Sequence, residues 1–267
     1  MTGAVVAPTE LADWLIGRGR HFVTAAEAAE LLGVERRIVP ASLEHARRSG
    51  KLVSVTKGGW VPVPPEHRSA GAPPASHYID QLMTHLGHHY YIGLLSAAAL
   101  HGASHQSPMV FQVVTPARLR DRTVGRNRIQ FLQRTTSTKR PRHQTNVPTG
   151  RIWISTPEVT VLDLVESPNE GGGLSNIATI IGELLRDTLL DPAALAELAP
   201  HYPTATIQRT GYLIDHMANH TGVATDTAPL QKAIAGCRYR GLSPGDDPGD
   251  HDDRWHLTIN TRIEHDL

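Results

Sequence analysis

"HFVTAAEAAELLGVERRIVPASLEHARRSGKLVSVTKGGWVPV", residues 21–63, opens with a helix signal and closes with a hairpin signal. Thr24 followed by Glu27 is the capping-box pattern, in which hydroxyl and carboxylate each satisfy one orphan amide at a helix start. Ala25, Ala28, Ala29 and Leu32 then form one stripe at helical spacing, and their small side chains suit close approach by another helix. Gly33 is the expected left-handed terminator. A second helix is expected to start near 36–38, because Pro40 is tolerated only in a first turn, where its missing N–H has no partner to lose. Val39, Leu43 and Ala46 take its core positions, which leaves Arg36, Arg37, Ala41, Glu44, Arg47 and Arg48 outward. "KLVSV" and "WVPV" read as two short strands around a Lys57-Gly58-Gly59 tip, and Pro62 confines the second to an edge or marks its end.

Helix, tight turn, helix and hairpin make a winged helix-turn-helix, and that arrangement points to duplex DNA. A helix fits the major groove, with residues at its N-terminal end reaching base edges while the preceding helix crosses the backbone. Arg36 and Arg37 sit at that end, Arg47 and Arg48 lie further along, and Lys57 at the wing tip is in reach of a phosphate or the minor groove. Thr24, at a helix start, is a further phosphate candidate. Against this, residues 1–68 carry nine basic and seven acidic residues, only +2, and Glu44 lies beside the groove face. Winged helices also serve as protein-interaction modules, so an adaptor role stays open.

The wider chain bounds these readings. Its 267 residues, 40% hydrophobic and 19% charged, describe a globular protein with Lys+Arg and Asp+Glu both at 26. That neutrality is uneven. Residues 112–151 hold ten basic residues against Asp121, or +9, and residues 244–267 hold seven acids against two arginines, or −5. The single cysteine, Cys237, leaves no intramolecular disulfide and few thiolate metal sites. No apolar run approaches the roughly 18 residues of a membrane span. The opening residues lack the charged and apolar regions of a signal peptide, so a cytoplasmic protein with no membrane partner is expected.

"PVPPEHRSAGAPPAS", residues 62–76, marks the expected boundary. The expectation is a winged helix-turn-helix domain at 1–68, a Pro/Ala-rich linker at 69–76 and a larger domain at 77–267. In the latter, "HYYIGLLSAAALHGAS" starts strand-like and becomes a short apolar helix stopped by Gly102. Strands are expected at 109–114, 128–132, 151–155 and 255–259. Thr156 and Pro157 cap and open a helix after the third of these. Helices follow at 174–190, 192–199 and 205–220. The fold class is therefore α/β (α+β), with a small sheet and a helical half in the second domain.

Other constellations carry less. "PARLRDRTVGRNRIQ" reads plainly as a solvated loop between strands, yet its charge density makes 118–142 a possible second nucleic-acid or partner surface. His77, His85, His88, His89, His101 and His105 crowd one region without HExxH or Cys/His pairing, so no metal site is expected. "DDPGDHDD", 246–253, lacks full EF-hand spacing and reads as a solvated linker. A nucleophile elbow, a phosphate loop and a nucleotidyltransferase's Gly-Ser with paired aspartates are all missing. No catalytic residue and no cofactor are therefore expected, and Asp163 in "VLDLV" is more economically a capping or salt-bridged acid.

Five segments in order, "TAAEAAELLGV", "YYIGLLSAAALHG", "VVTPARLR", "ISTPEVTVLDLV" and "IQRTGYLID", span about residues 20–220. Together they resemble the AbiEi-type antitoxins and transcriptional regulators of type IV toxin–antitoxin systems. The resemblance implies a cytoplasmic bacterial or phage-defence protein whose winged helix binds inverted repeats upstream of its own operon and represses it. The second domain would act as antitoxin against a co-encoded nucleotidyltransferase-like toxin. Family DNA contacts would fall on Thr24, Arg36, Arg37, Arg47, Arg48 and Lys57, and a family basic face on Arg118, Arg120, Arg122, Arg126 and Arg128. Operator palindromes demand two copies side by side, so a dimer on DNA is expected even where the free protein is a monomer in solution. Two alternatives remain: a winged-helix adaptor for a protein or RNA, and an effector-sensing transcription factor.

Overall fold

A computed structural model describes residues 5–103, 108–245 and 247–264. His105 and Asp246, named above, lie outside the described residues. The chain is of mixed α/β class and divides into two compact units. The first comprises Met1–Tyr91, Met109–Thr135 and Gln144–Trp153, and the second Ile92–Pro108, Thr136–His143 and Ile154–Leu267.

The first unit begins with α1 (Leu11–Ile16), too short to announce itself in the sequence, which buries Leu11, Ala12 and Leu15. β1 (Val23–Thr24) leads into α2 (Ala25–Leu32), and both halves of the capping box form. The Glu27 N–H donates to Thr24 Oγ1 at 3.2 Å, and the Thr24 N–H donates to Glu27 Oε2 at 2.8 Å. Gly33 ends α2 at φ 64°, a conformation that glycine adopts without steric cost. The expected second helix comes in two pieces, α3 (Val39–Ser42) and α4 (Glu44–Arg48), joined at Leu43. Pro40 sits in the first turn of α3 and cannot donate back to residue 36, so the helix does not extend through Arg36 and Arg37.

β2 (Leu52–Thr56) and β3 (Gly59–Pro62) pair antiparallel across the Lys57-Gly58 turn. β1 joins the other side of β3, pairing Val23 with Trp60, so the sheet order is β1-β3-β2. β3 is thus central, and Pro62 marks its end rather than making it an edge. Leu11, Leu15, Val23, Ala28, Val39, Leu43, Leu52 and Trp60 share one core beneath these elements. Each fully buried Leu contributes roughly 1.5–3 kcal/mol.

Residues 65–70 and 75–77 form 3-10 turns, Ala72 and Ala75 are buried, and Asn127 Nδ2 donates to Pro73 O at 2.9 Å. The segment expected as a linker is therefore fastened to its own unit. α5 (Ile79–Leu86) follows, then β4 (Tyr91–Ile92), β5 (Val110–Thr115), β6 (Arg122–Val124), β7 (Asn127–Gln133), β8 (Arg142–Val147) and β9 (Gly150–Ser155). These strands form a sheet of order β6-β7-β5-β4-β9-β8. β5 runs parallel to β7, with Val113 opposite Phe131, and β6 runs antiparallel to β7, with Thr123 opposite Arg128. β6 and its turn occupy the stretch that reads as a loop, because only Val124 of β6 is buried and three residues show no alternation.

In the second unit α6 (Leu94–Leu100) ends at His101-Gly102 as expected. α7 (Pro157–Glu166) is capped by Thr156, whose Oγ1 accepts from the Val159 N–H at 3.4 Å. Residues 159–165 are all buried, which makes α7 a core helix. α8 (Leu174–Arg186), α9 (Pro192–Leu198) and α10 (Thr204–Thr221) pack on it, and α11 (Ala228–Ala233) follows. β10 (Arg240–Gly241), β11 (Asp250–Asp252) and β12 (Leu257–Ile259) form a sheet of order β10-β12-β11. The acidic stretch read as a solvated linker thus contains a strand, with His251 opposite Thr258. Its carboxylates are used locally: Asp252 Oδ1 accepts from the Trp255 N–H at 2.8 Å, and Asp253 accepts from the Tyr239 hydroxyl. Among the described residues no helix is long and apolar enough to cross a membrane.

Candidate nucleic-acid interface

All the residues singled out as possible DNA contacts, and the basic set at 118–128, belong to the first unit. Arg36 and Arg37 lie in the turn before α3, both exposed. Arg37 Nε pairs with Glu35 Oε2 at 2.6 Å, while Arg36 makes no ion pair among the described residues. Arg47 and Arg48 converge on one carboxylate, Glu44, at 3.0 and 2.9 Å. Exposed pairs of this kind contribute about 0–1 kcal/mol, so a phosphate competes with them easily. Lys57 is exposed at the hairpin tip and is likewise unpaired among the described residues.

Thr24 is differently placed. Its hydroxyl oxygen accepts from the helix, leaving the O–H hydrogen as the group it offers. Burial pushes the Glu27 carboxyl up, but the Thr24 hydrogen bonds and Arg20 outweigh it and hold it below the usual range. The ionised Glu27 adds a negative charge at the start of α2, and the Thr24 oxygen is engaged as the helix cap.

The basic stretch resolves into three populations. Arg118, Arg120, Arg126 and Arg128 are exposed, and among the described residues only Arg128 has an acid within reach, Asp121 at 3.9 Å. Arg122 turns inward: Nη1 donates to Val55 O at 2.5 Å, and the guanidinium lies 5.9 Å from the Phe131 ring centre. Burial lowers its pKa, against the nearby Tyr78. Arg140, in the second unit, is 3% exposed and neutralised: Nη1 meets Asp163 Oδ1 at 2.5 Å, Nη2 meets Glu166 Oε2 at 3.1 Å, and the ring of Tyr202 lies 3.9 Å away. Asp163 is therefore the salt-bridged acid that the sequence favours. The nearest sequence signal for this network is one arginine in a basic run and one aspartate in an apolar helix, and no spacing rule joins them.

Among the described residues no group of three or more His, Cys, Asp or Glu is placed to hold a metal ion. The histidines of the crowded region have separate surroundings. His77 meets His67 edge-on at 5.7 Å, His85 lies 5.6 Å from Phe22, and His101 Nε2 donates to Ser155 O at 2.9 Å. One feature is invisible in the sequence: a cleft of about 460 Å³ lined by Arg20, His21, Phe22, Thr24, Glu27 and Gln81 among others. Its walls come from two segments whose proximity only the fold creates.

The elements and charges above define a mixed α/β protein whose first unit presents exposed basic residues on the α3–α4 segment and the β2–β3 tip, and again on the loop before β6 and the β6–β7 hairpin. Residues 91–216 match the family model described as the AbiEi antitoxin C-terminal domain, and this part of the chain is of AbiEi antitoxin type. The match begins at β4 and ends within α10, so α11 and the β10-β12-β11 sheet lie beyond it. The crystal structure of the RV2827C protein from Mycobacterium tuberculosis is similar across almost the whole chain. Its TM-score is 0.65, covering 95% of this chain and 91% of that one at 16% identity. At that identity the likeness speaks for the fold alone. No curated protein matches the sequence.

Proposed function

We propose that the protein is a DNA-binding transcriptional autorepressor that serves as the non-enzymatic antitoxin of a toxin–antitoxin pair. Its counterpart would be a co-encoded nucleotidyltransferase-like toxin. The observation that carries this reading is the antitoxin-type domain at 91–216 in the same chain as a capped helix, turn, basic helix and hairpin. In this reading residues 1–68 act as the winged helix-turn-helix. Arg36 and Arg37 approach base edges, Arg47 and Arg48 exchange Glu44 for phosphate, Lys57 reaches the backbone from the wing, and Thr24 holds the first helix in place. Two copies occupy an inverted repeat upstream of the operon. The exposed arginines at 118, 120, 126 and 128 add a second nucleic-acid or partner surface.

A salt-titrated gel shift on the DNA upstream of the gene tests the first half, beside an Arg36→Ala/Arg37→Ala double variant and scrambled competitor. Specific binding lost in the variant supports the repressor. Equal weak binding to both DNAs, indifferent to the variant, overturns it. Co-expression with the downstream gene product tests the second half: growth restored by the full chain supports the antitoxin reading, and no restoration overturns it.

The cleft at the start of α2 is the specific observation that favours a second reading, an effector-sensing regulator. Its lining couples an apolar ring, Phe22, to the Arg20–Glu27 pair that completes the helix cap. A metabolite that raises the thermal midpoint of the full chain and alters operator affinity would establish this reading; one that does neither leaves the cleft without a regulatory role.

A further inference from the structure

The β2–β3 hairpin carries one irregularity, and its position has a consequence. Ser54 stands opposite Trp60 and Thr56 opposite Gly59, so three residues of β2 face two of β3, and Val55 is the extra one. A bulge of this kind takes a residue out of the regular ladder and increases the local bend and twist of the strand. The bend falls two residues before Lys57, so its angle sets where the hairpin tip points. Near the hairpin tip, Ser54 Oγ donates to Thr56 O at 3.2 Å across the bulge and the Val55 side chain is buried, while the Val55 carbonyl lies outside the regular ladder and takes a donor from elsewhere.

The partner comes from β6. Arg122 Nη1 donates to the Val55 carbonyl, 67 positions away in sequence. A hydrogen bond from a guanidinium is stronger than a neutral one, and a half-buried one is better shielded from water. Around it β2 and β6 pack together. The β6–β7 turn is anchored at a second point: the Arg126 N–H donates to Ala70 O at 2.8 Å, and a Cβ on Gly125 would come within 2.3 Å of the same oxygen. The β6–β7 hairpin is thus a fixed post beside the β2–β3 hairpin. Arg122 is also enclosed on its far side. Its Nε and the Tyr78 hydroxyl are both buried without a hydrogen-bond partner among the described residues. Its neighbours Arg118, Arg120, Arg126 and Arg128 are exposed, whereas Arg122 is not.

We propose that Arg122 is a positioning residue that clamps the Val55 bulge and so fixes the direction of the Lys57 wing, and that it makes no contact with nucleic acid itself. The clamp is a statement about the hairpin; its effect on binding rests on the DNA-binding reading above. It removes Arg122 from the basic face on which the family resemblance sets it, and assigns it to the wing.

The experiment uses the full-length chain in three forms, wild type, Arg122→Met and Arg122→Lys, with Lys57→Ala alone and combined with Arg122→Met. Backbone hydrogen exchange without DNA comes first. Loss of the clamp raises exchange at amides 55–60 by roughly tenfold in Arg122→Met, the worth of one charge-assisted hydrogen bond. Exchange at α2 and α7 stays at the wild-type rate, which separates a local effect from general unfolding. Wild-type exchange at 55–60 in Arg122→Met overturns the clamp. Should Arg122→Met lose its cooperative melt, Arg122→Lys carries the same comparison, because a lysine keeps the charge without the fork that reaches the carbonyl.

Affinity for duplex DNA from upstream of the gene is then measured against salt. A phosphate contact predicts that Arg122→Met lowers the log–log slope by about 0.9 and that Arg122→Lys restores it. A clamp predicts weaker binding in both variants, a slope lowered by the lost Lys57 contact that Arg122→Lys does not restore, and a smaller effect of Lys57→Ala once Arg122 is gone. Slopes that follow the contact pattern, or additive Lys57 and Arg122 effects, overturn the proposal. If the wild type binds no duplex DNA, the repressor reading fails by itself, while the exchange data still decide whether Arg122 holds the bulge.

Discussion

Replacing Arg140 by Met isolates the most consequential ion pair in the second unit. Arg140 and Asp163 are 3% and 2% exposed, so neither charge has recourse to water. In the native state the guanidinium also reaches Glu166, and the Tyr202 hydroxyl donates to Asp163 Oδ1 at 2.8 Å. Methionine fills much of the arginine stem's volume but leaves the aspartate without its cation. Breaking a buried pair from one side costs about 3–5 kcal/mol, against roughly 0–1 for an exposed pair such as Arg48–Glu44. For a domain of 150–250 residues each kcal/mol moves the midpoint by about 2–4 °C, so a drop of roughly 6–20 °C is expected. Calorimetry of the full chain reads this. A second variant, Arg140→Met with Asp163→Asn, should recover part of the loss, because the remaining amide carries no charge to strand. A midpoint for Arg140→Met within about 2 °C of wild type would refute the reasoning, since the pair would then contribute no more than a surface contact.

Three further outcomes are expected. Arg36→Ala with Arg37→Ala should cost roughly 2–6 kcal/mol of specific DNA affinity if both read bases. If both touch only phosphate, gel shifts should show the loss on every sequence and a salt slope lower by about one per arginine. Glu44→Gln should tighten DNA binding and steepen the salt dependence, because it releases Arg47 and Arg48 from a shared carboxylate; an unchanged titration would separate both arginines from the DNA. Finally, burial holds the His101 pKa below its ordinary 6.5 while Nε2 donates to Ser155 O. The unfolded chain then takes up this proton first as pH falls, so stability is present above about 6.5 and lost below it. Midpoints measured between about pH 7.5 and 5.5 should fall less steeply in His101→Gln, and an identical fall would exclude His101 as the cause.

Local chemistry was legible wherever neighbours in sequence settle it. The Thr24–Glu27 box, the Gly33 terminator, the Thr156 cap with Pro157 and the Lys57-Gly58 turn all form as their residues dictate. What escaped reading was short or dependent on distant partners. α1 and β6 are too brief for a periodic signal, β6 exists because β7 offers it a ladder, and α5, as long as α2, lacks the side-chain cap that announces α2. β11 is written in aspartates that strand propensity disfavours, and its pairing with β12 overrides that preference. Pro40 stands in a first turn, as its missing N–H requires, and that same fact puts the helix start at Val39 and leaves Arg36 and Arg37 in the turn before it.

Charge shows most clearly why a site is harder to read than a fold. Summed along the chain, residues 112–151 carry +9, as though all their arginines faced outward together. In space that sum breaks apart. Arg140 is neutralised in a buried network, Arg122 holds a backbone carbonyl, and only Arg118, Arg120, Arg126 and Arg128 of the 118–128 set keep their charge at the surface. The helix arginines show the opposite: the count at 1–68 is nearly balanced, yet the acids that balance Arg37, Arg47 and Arg48 are exposed partners that a phosphate displaces at little cost. A charge matters to a polyanion according to what it must release in order to bind. By that measure Arg36 and Lys57 are the most available cations of the helix–hairpin segment, and they are the two that the net count hides.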